Sequence, residues 1–236
     1  MFAPIDLTGP SPFNDWFVPD TTQRMQLGLT VKAIDPFWGL GEFMYIKSND
    51  VILKGSLVAV GLTYLGTLLP STAGQGFPFG VAMAPMAANT FGWIQIAGRC
   101  VYKTNATVAA DTAVAVAAAG IAGTLAAGKQ LLNVRNVVAA TGTTTVTAST
   151  TNGTGTLQTT GYDGFFIGMA LSGTGIPAST VVAKLDPDGK TIYTGSAIGT
   201  LGDKNSTATG TITLTGTYTG FGGGMIMYPF AQGQIA

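Results

Sequence analysis

The sequence predicts an all-β fold: a β-barrel or sandwich core with an inserted Thr/Gly-rich β-module, preceded by an extended N-terminal arm. Three observations point there. Short β-branched and aromatic runs recur at separations of about ten residues between glycines, the spacing of a sandwich or barrel rather than of alternating βαβ units. Alternation with period two is clear where Leu29, Val31 and Ala33 oppose Thr30 and Lys32. No window reads as a capped amphipathic helix. At 236 residues the chain has the length for one sizeable β domain or two small ones.

Residues 1–26 hold Pro4, Pro10, Pro12 and Pro19, with Phe2, Phe13, Trp16 and Phe17 between them. That proline density prevents a helix and removes donors from any sheet, so the segment is expected to be an extended arm. Its aromatics need a surface to cover, on a neighbouring subunit or on the arm's own domain. Phe13, Trp16 and Phe17 are the candidate partner-binding anchors.

The core is expected over residues 27–140. Strands are predicted at Leu29 to Ile34, Glu42 to Lys47, Leu57 to Val60, Gly80 to Ala84, Trp93 to Ala97, Arg99 to Lys103, Thr112 to Ala118 and Gln130 to Ala139. Trp93, Ile94 and Ile96 are expected in a central strand, because an aromatic and β-branched residues fill a pleated interior. Ala113 to Gly128 is apolar but falls short of the ~20 residues a bilayer requires. It reads as a strand, a glycine turn and a second strand.

At about Thr141 the composition shifts to TGTTTVTASTTNGTGTLQTTG, polar yet rich in β propensity. Residues 141–217 are therefore expected to be an inserted module. Inside it, Ser179 to Leu185 and Lys190 to Thr194 flank Asp186-Pro187-Asp188-Gly189, a hairpin turn in which proline presets φ and glycine takes the left-handed position. Thr211 to Thr215 supplies a further alternating strand. Residues 218–236 return to apolar material, with Gly222-Gly223-Gly224 read as a hinge before a last strand that rejoins the core.

Charged residues are 9% of the chain and the net charge is zero, so the clustered Lys and Arg that drive phosphate binding are missing and nucleic acid is not the expected partner. Cys100 is the single cysteine, which excludes an intrachain disulfide and a cysteine metal cluster, and it reads as a buried thiol. With no histidine, imidazole bases, Ser-His-Asp triads and histidine-ligated metals are unavailable. The acids are Asp residues, mostly in turns, and the lone Glu42. No enzyme, cofactor or metal is expected. Asp186 and Asp188 lack the spacing of a calcium loop, and Pro177 argues against phosphate cradling at Gly173-Thr174-Gly175. The beginning of the chain lacks the basic and apolar regions of a signal peptide, so no secretory route is expected.

Two stretches carry a resemblance. GEFMYIKSNDVILKGSLVAV (41–60), followed by PFGVAMAPMAANTFGWIQIAGRCVYKT (78–104), resembles a group of small tailed-phage virion proteins, the capsid decoration (cement or head-stabilising) proteins. GMALSGTGIPASTVVAKLDPDGKTI (168–192) is similar to a β-module that recurs in phage head and tail proteins, with Leu171 where a β-branched residue is usual. The resemblance implies a structural protein on the outer capsid surface, bound to the major capsid protein and to copies of itself, as a homotrimer, without membrane or nucleic-acid partners. It implies no catalytic residues. A tail or fibre component that adheres to a host surface is the alternative it leaves open.

Overall fold

The computed structural model describes residues 3–4, 18–35, 39–105, 108–162, 164–186, 188–197 and 200–232, and these form strands and turns with no helix. The first ten strands are β1 (Ala3–Pro4), β2 (Thr30–Asp35), β3 (Gly39–Ser48), β4 (Leu57–Val60), β5 (Leu65–Leu68), β6 (Phe79–Ala82), β7 (Phe91–Lys103), β8 (Val114–Ala118), β9 (Ile121–Thr124) and β10 (Leu131–Val138). After them come β11 (Thr141–Thr150), β12 (Thr156–Thr159), β13 (Ala170–Ser172), β14 (Thr180–Leu185), β15 (Thr191–Gly195), β16 (Gly210–Thr219) and β17 (Phe221–Ala231). The fold is all-β. Residues 142–219 make one compact unit and the remaining described chain another.

In the larger unit the strands run β1-β2-β3-β5-β4-β6-β7-β17-β10, and β3 also pairs with β7. Strands β3, β5, β4, β6 and β7 therefore close on one another as a small ring. Period two then sorts the side chains, since successive residues of a strand point to opposite faces. Ile46, Val58, Ala82, Ile94 and Ile96 fill the ring together with Ile52 and Met86. Phe43, Tyr45 and Trp93 point the other way, into a layer completed by Val31 and Ala33 of β2. Leu57, Phe79, Val81 and Tyr102 meet a third layer from the β8–β9 hairpin, β10 and β17. Trp93, Ile94 and Ile96 lie buried in β7, between β3 and β6.

One strand, β7, covers both predicted runs at Trp93 to Ala97 and Arg99 to Lys103. It changes partner midway, from β3 at its start to β17 at its end. At the corner Gly98 adopts φ +101, and a Cβ there would strike the Leu40 carbonyl oxygen. The buried Gln95 amide stitches the bend by donating to Ala97 O (3.0 Å) and Arg99 O (2.8 Å).

Two expectations are corrected here. Gly222 to Gly224 is no hinge, because all three lie inside β17 and pair with Tyr102, Val101 and Cys100. Gly222 and Gly224 are small because Tyr102 lies against both: a Cβ on Gly224 would come within 2.9 Å of its ring, and one on Gly222 within 3.1 Å of it and within 2.6 Å of Asn136 Oδ1. That oxygen accepts the Tyr102 hydroxyl at 2.8 Å, while the Asn136 amide donates to Ala109 O and Val138 O.

The arm drawn as residues 1–26 is also shorter than expected. Asp20 exchanges both backbone hydrogen bonds with Phe91, at 2.8 and 2.9 Å, and its carboxylate accepts the Tyr45 hydroxyl at 2.8 Å and pairs with Arg24 Nε at 3.0 Å. Met25 and Leu27 pack on the Tyr45–Trp93 layer. Residues 18–26 thus belong to the core unit, and Ala3–Pro4 pairs with β2. Phe13, Trp16 and Phe17 lie outside the described residues.

In the smaller unit β11-β12-β15-β14-β13-β16 form a closed barrel. Leu157, Phe165, Met169, Leu171, Val182, Ile192, Ile212 and Leu214 are among its buried apolar residues. The threonine-rich strands turn hydroxyls outward: Thr143, Thr145, Thr147 and Ser149 of β11, and Thr211 and Thr213 of β16, are exposed. The β14–β15 hairpin forms around Asp188, whose Oδ1 accepts from Lys190 N and Thr191 N, each at 2.8 Å. Those bonds, led by the one from the Thr191 hydroxyl, hold the Asp188 carboxyl below its usual range. The Gly173-Thr174-Gly175-Ile176 stretch is a corner, in which Ile176 N donates to Gly173 O at 3.1 Å and Gly175 O accepts from Thr207 N at 2.8 Å.

Candidate partner-binding surface

A hollow of about 520 Å³ opens on the larger unit. Met44, Val60, Phe79 and Ile96 line it from the sheet, and Leu62, Tyr64, Phe77 and Tyr228 line it from turns and strand ends. No lining residue is charged. Local backbone geometry presents the exposed members. Between β4 and β5 a tight turn bonds Tyr64 N to Gly61 O (3.0 Å) and Gly61 N to Leu65 O (3.1 Å), and it holds Leu62 fully in solvent.

On the other side the β10–β17 ladder breaks between Leu132 and Val134. Asn133 (φ 59) and Tyr228 (φ 47) both take the left-handed region there, although neither is glycine. Such a bulge re-aims the side chains that follow it, at a cost of roughly 1 kcal/mol or more per residue. Tyr228 is 55% exposed and Met227 beside it 56%. The Tyr228 hydroxyl donates to Glu42 Oε2, and this bond, ahead of burial, raises its pKa. The chain's one glutamate thus fixes the orientation of an exposed aromatic ring.

Such an arrangement can receive an apolar or aromatic side chain from a partner, within the volume range of ordinary ligand sites. The strongly shifted titrating groups lie elsewhere. Burial pushes the Lys54 ammonium down to about 7 and the Cys100 thiol up. Tyr45 is raised to about 12, by burial first and then by Asp20. Among the described residues no group of three or more His, Cys, Asp or Glu is placed to hold a metal ion.

Sequence reasoning singled out none of Leu62, Tyr64, Phe77 or Tyr228. One signal was available: Pro229 inside an apolar strand marks a bulge or an edge. The fold and surface define an all-β protein of two β units with an apolar hollow on the larger one. No protein-family model, curated protein or solved structure matches the chain.

Proposed function

We propose that this chain is a non-enzymatic structural virion protein that binds the outer surface of an assembled tailed-phage capsid and stabilises it. One observation carries the reading. The two stretches that resemble capsid decoration proteins contribute β3, β4, β6 and β7, four of the five strands of the closed ring, and the apolar hollow opens on that ring. The zero net charge suits a protein that packs against many copies of a shell subunit, because little self-repulsion opposes assembly.

In this reading the major capsid protein is the partner, together with copies of the chain itself as a homotrimer. Phe13, Trp16 and Phe17 serve as anchors, in addition to the surface of Leu62, Phe77 and Tyr228. Stabilisation is mechanical: area buried across several capsid subunits makes separating them costlier, and many weak contacts act together. The outward hydroxyl rows of the inserted barrel favour a second reading, adhesion of a tail or fibre component to a host surface.

Purified protein mixed with empty shells and sedimented should co-pellet at hundreds of copies per particle, and cryo-EM should place it outside the shell. Failure to co-pellet, or a stoichiometry of a few to tens, overturns the decoration reading. The low stoichiometry favours the fibre.

A further inference from the structure

Leu62, Tyr64, Phe77 and Tyr228 line the apolar hollow, and exposed apolar surface continues past them. Met227 precedes Tyr228 and is itself exposed. Phe230 bridges to Pro78 and faces Leu132 across the β10–β17 ladder, and both Phe230 and Leu132 are more than a third exposed. We propose that this face joins copies of the chain to one another, the Leu62 turn of one copy entering the hollow of the next. The inference deepens the reading above, in which copies of the chain are partners, by assigning them a surface.

Three observations carry it. The first is area. At ~200 Å² per large side chain, these seven residues expose roughly 700 Å². That exceeds the largest apolar patch of an ordinary monomer, ~300–600 Å², and comes close to the ~800 Å² that each partner gives to a stable interface. The second is charge. No residue lining the hollow is charged, and Met227, Phe230 and Leu132 extend it without adding a charge. Among the charged groups beside it, Glu42 accepts the Tyr228 hydroxyl, and Arg135 pairs with Asp111 at 3.4 Å. A strongly charged partner finds no counterpart on such a face, whereas an identical face is matched to it. Zero net charge also lets copies approach without long-range repulsion. The third is shape. Leu62 projects fully into solvent from its turn, beside a hollow of about 520 Å³. One face thus holds both a knob and a hole, and in a closed symmetric assembly each copy gives a contact and receives the same one. Tyr64 and Tyr228, which both line the hollow, are held at positive φ (58 and 47), and backbone strain of that kind collects at ligand clamps.

Sedimentation velocity on the full chain tests this with no capsid present, so its outcome is separate from that of the shell-binding experiment. The wild-type chain should form a defined oligomer at roughly 10 μM, since interfaces of standard size bind with micromolar Kd or tighter. Leu62→Glu and Met227→Glu change exposed side chains, and each should weaken assembly at least tenfold. Leu201→Glu, equally a change of an exposed leucine but in the smaller unit, should leave assembly unaltered. A wild-type chain that stays monomeric at ten times that concentration overturns the proposal, and so does an oligomer that both variants leave intact. Variants that assemble normally yet lose binding to shells overturn it too, and give this face to the capsid protein.

Discussion

In the larger unit β3 hides both of its faces, Phe43 and Tyr45 in one apolar layer and Ile46 in another. In the smaller unit β11 turns Thr143, Thr145, Thr147 and Ser149 to solvent. The same alternation of period two builds three apolar layers in one case and a single-layered barrel in the other. The contrast teaches that the polar composition of residues 141–217 reflects one wet face and not a missing core. It also assigns different vulnerabilities, since in the larger unit a change on either face of a strand meets packed neighbours.

The sharpest way to break the comparison is Trp93→Ala. The ring is 5% exposed and lies 5.2 Å from Tyr45, centroid to centroid, so the loss should be about 3–5 kcal/mol. All three tryptophans fall outside residues 142–219, so tryptophan fluorescence in a denaturant titration reads the larger unit alone. A far-UV dichroism signal from the barrel should persist after that transition. Loss of both signals together would show that the units do not unfold independently.

Next in size is Gly224→Ala, for which the neighbouring Arg135 carbonyl and Tyr102 ring leave no space. About 1–3 kcal/mol should be lost. The matched control, Gly161→Ala in the smaller unit, adds its Cβ to open space and should change stability by less than ~0.5 kcal/mol. Tyr102→Phe should cost about 1–3 kcal/mol, because Asn136 Oδ1 is left buried without its donor.

A smaller effect is pH-dependent. Lys54 has a folded pKa of about 7, depressed by burial, against roughly 10.4 in an unfolded chain. Between those values the unfolded state binds the extra proton, so the larger unit should gain stability as pH rises from 7 towards 10 and carry the full cost below 7. Lys54 is partly exposed, which limits the gain to roughly 1 kcal/mol. Lys54→Met should flatten that slope in denaturant titrations, and an unchanged slope would assign it to another group.

The smallest effect is expected from removing residues 143–215 and closing the gap with a short turn. The fluorescence midpoint of the larger unit should move by less than ~0.5 kcal/mol. A collapse of that transition would make the barrel part of the core.

Much of this was legible in the sequence. Leu57–Val60 has the expected bounds, and the strand, glycine turn and strand expected over Ala113 to Gly128 are β8 and β9. The composition shift at Thr141 lies beside the division at residue 142, and Met225 to Phe230 does return to β7 and β10. What stayed hidden depended on partners distant in sequence. The Gly222 to Gly224 stretch looks like a hinge until Tyr102 is seen lying over it. Gly98 reads as a gap between two strands until β3 and β17 are seen sharing one. β5, with only Leu65 to Leu68, is too short to show alternation, and its place depends on a parallel pairing with Lys47 and Ser48. The apolar hollow collects residues from five separate segments of the chain, and no local pattern announces such a convergence.

At the place where the barrel enters and leaves, Gly220 N donates to Ala140 O at 2.9 Å, so the larger unit's own backbone holds the two ends of the gap together. Closing a flexible loop of that length would cost on the order of 4 kcal/mol in chain entropy. A guest that folds with its termini adjacent meets that cost from its own stability. The junction behaves as a socket, because the chain ends that leave β10 and enter β17 are joined without help from the barrel.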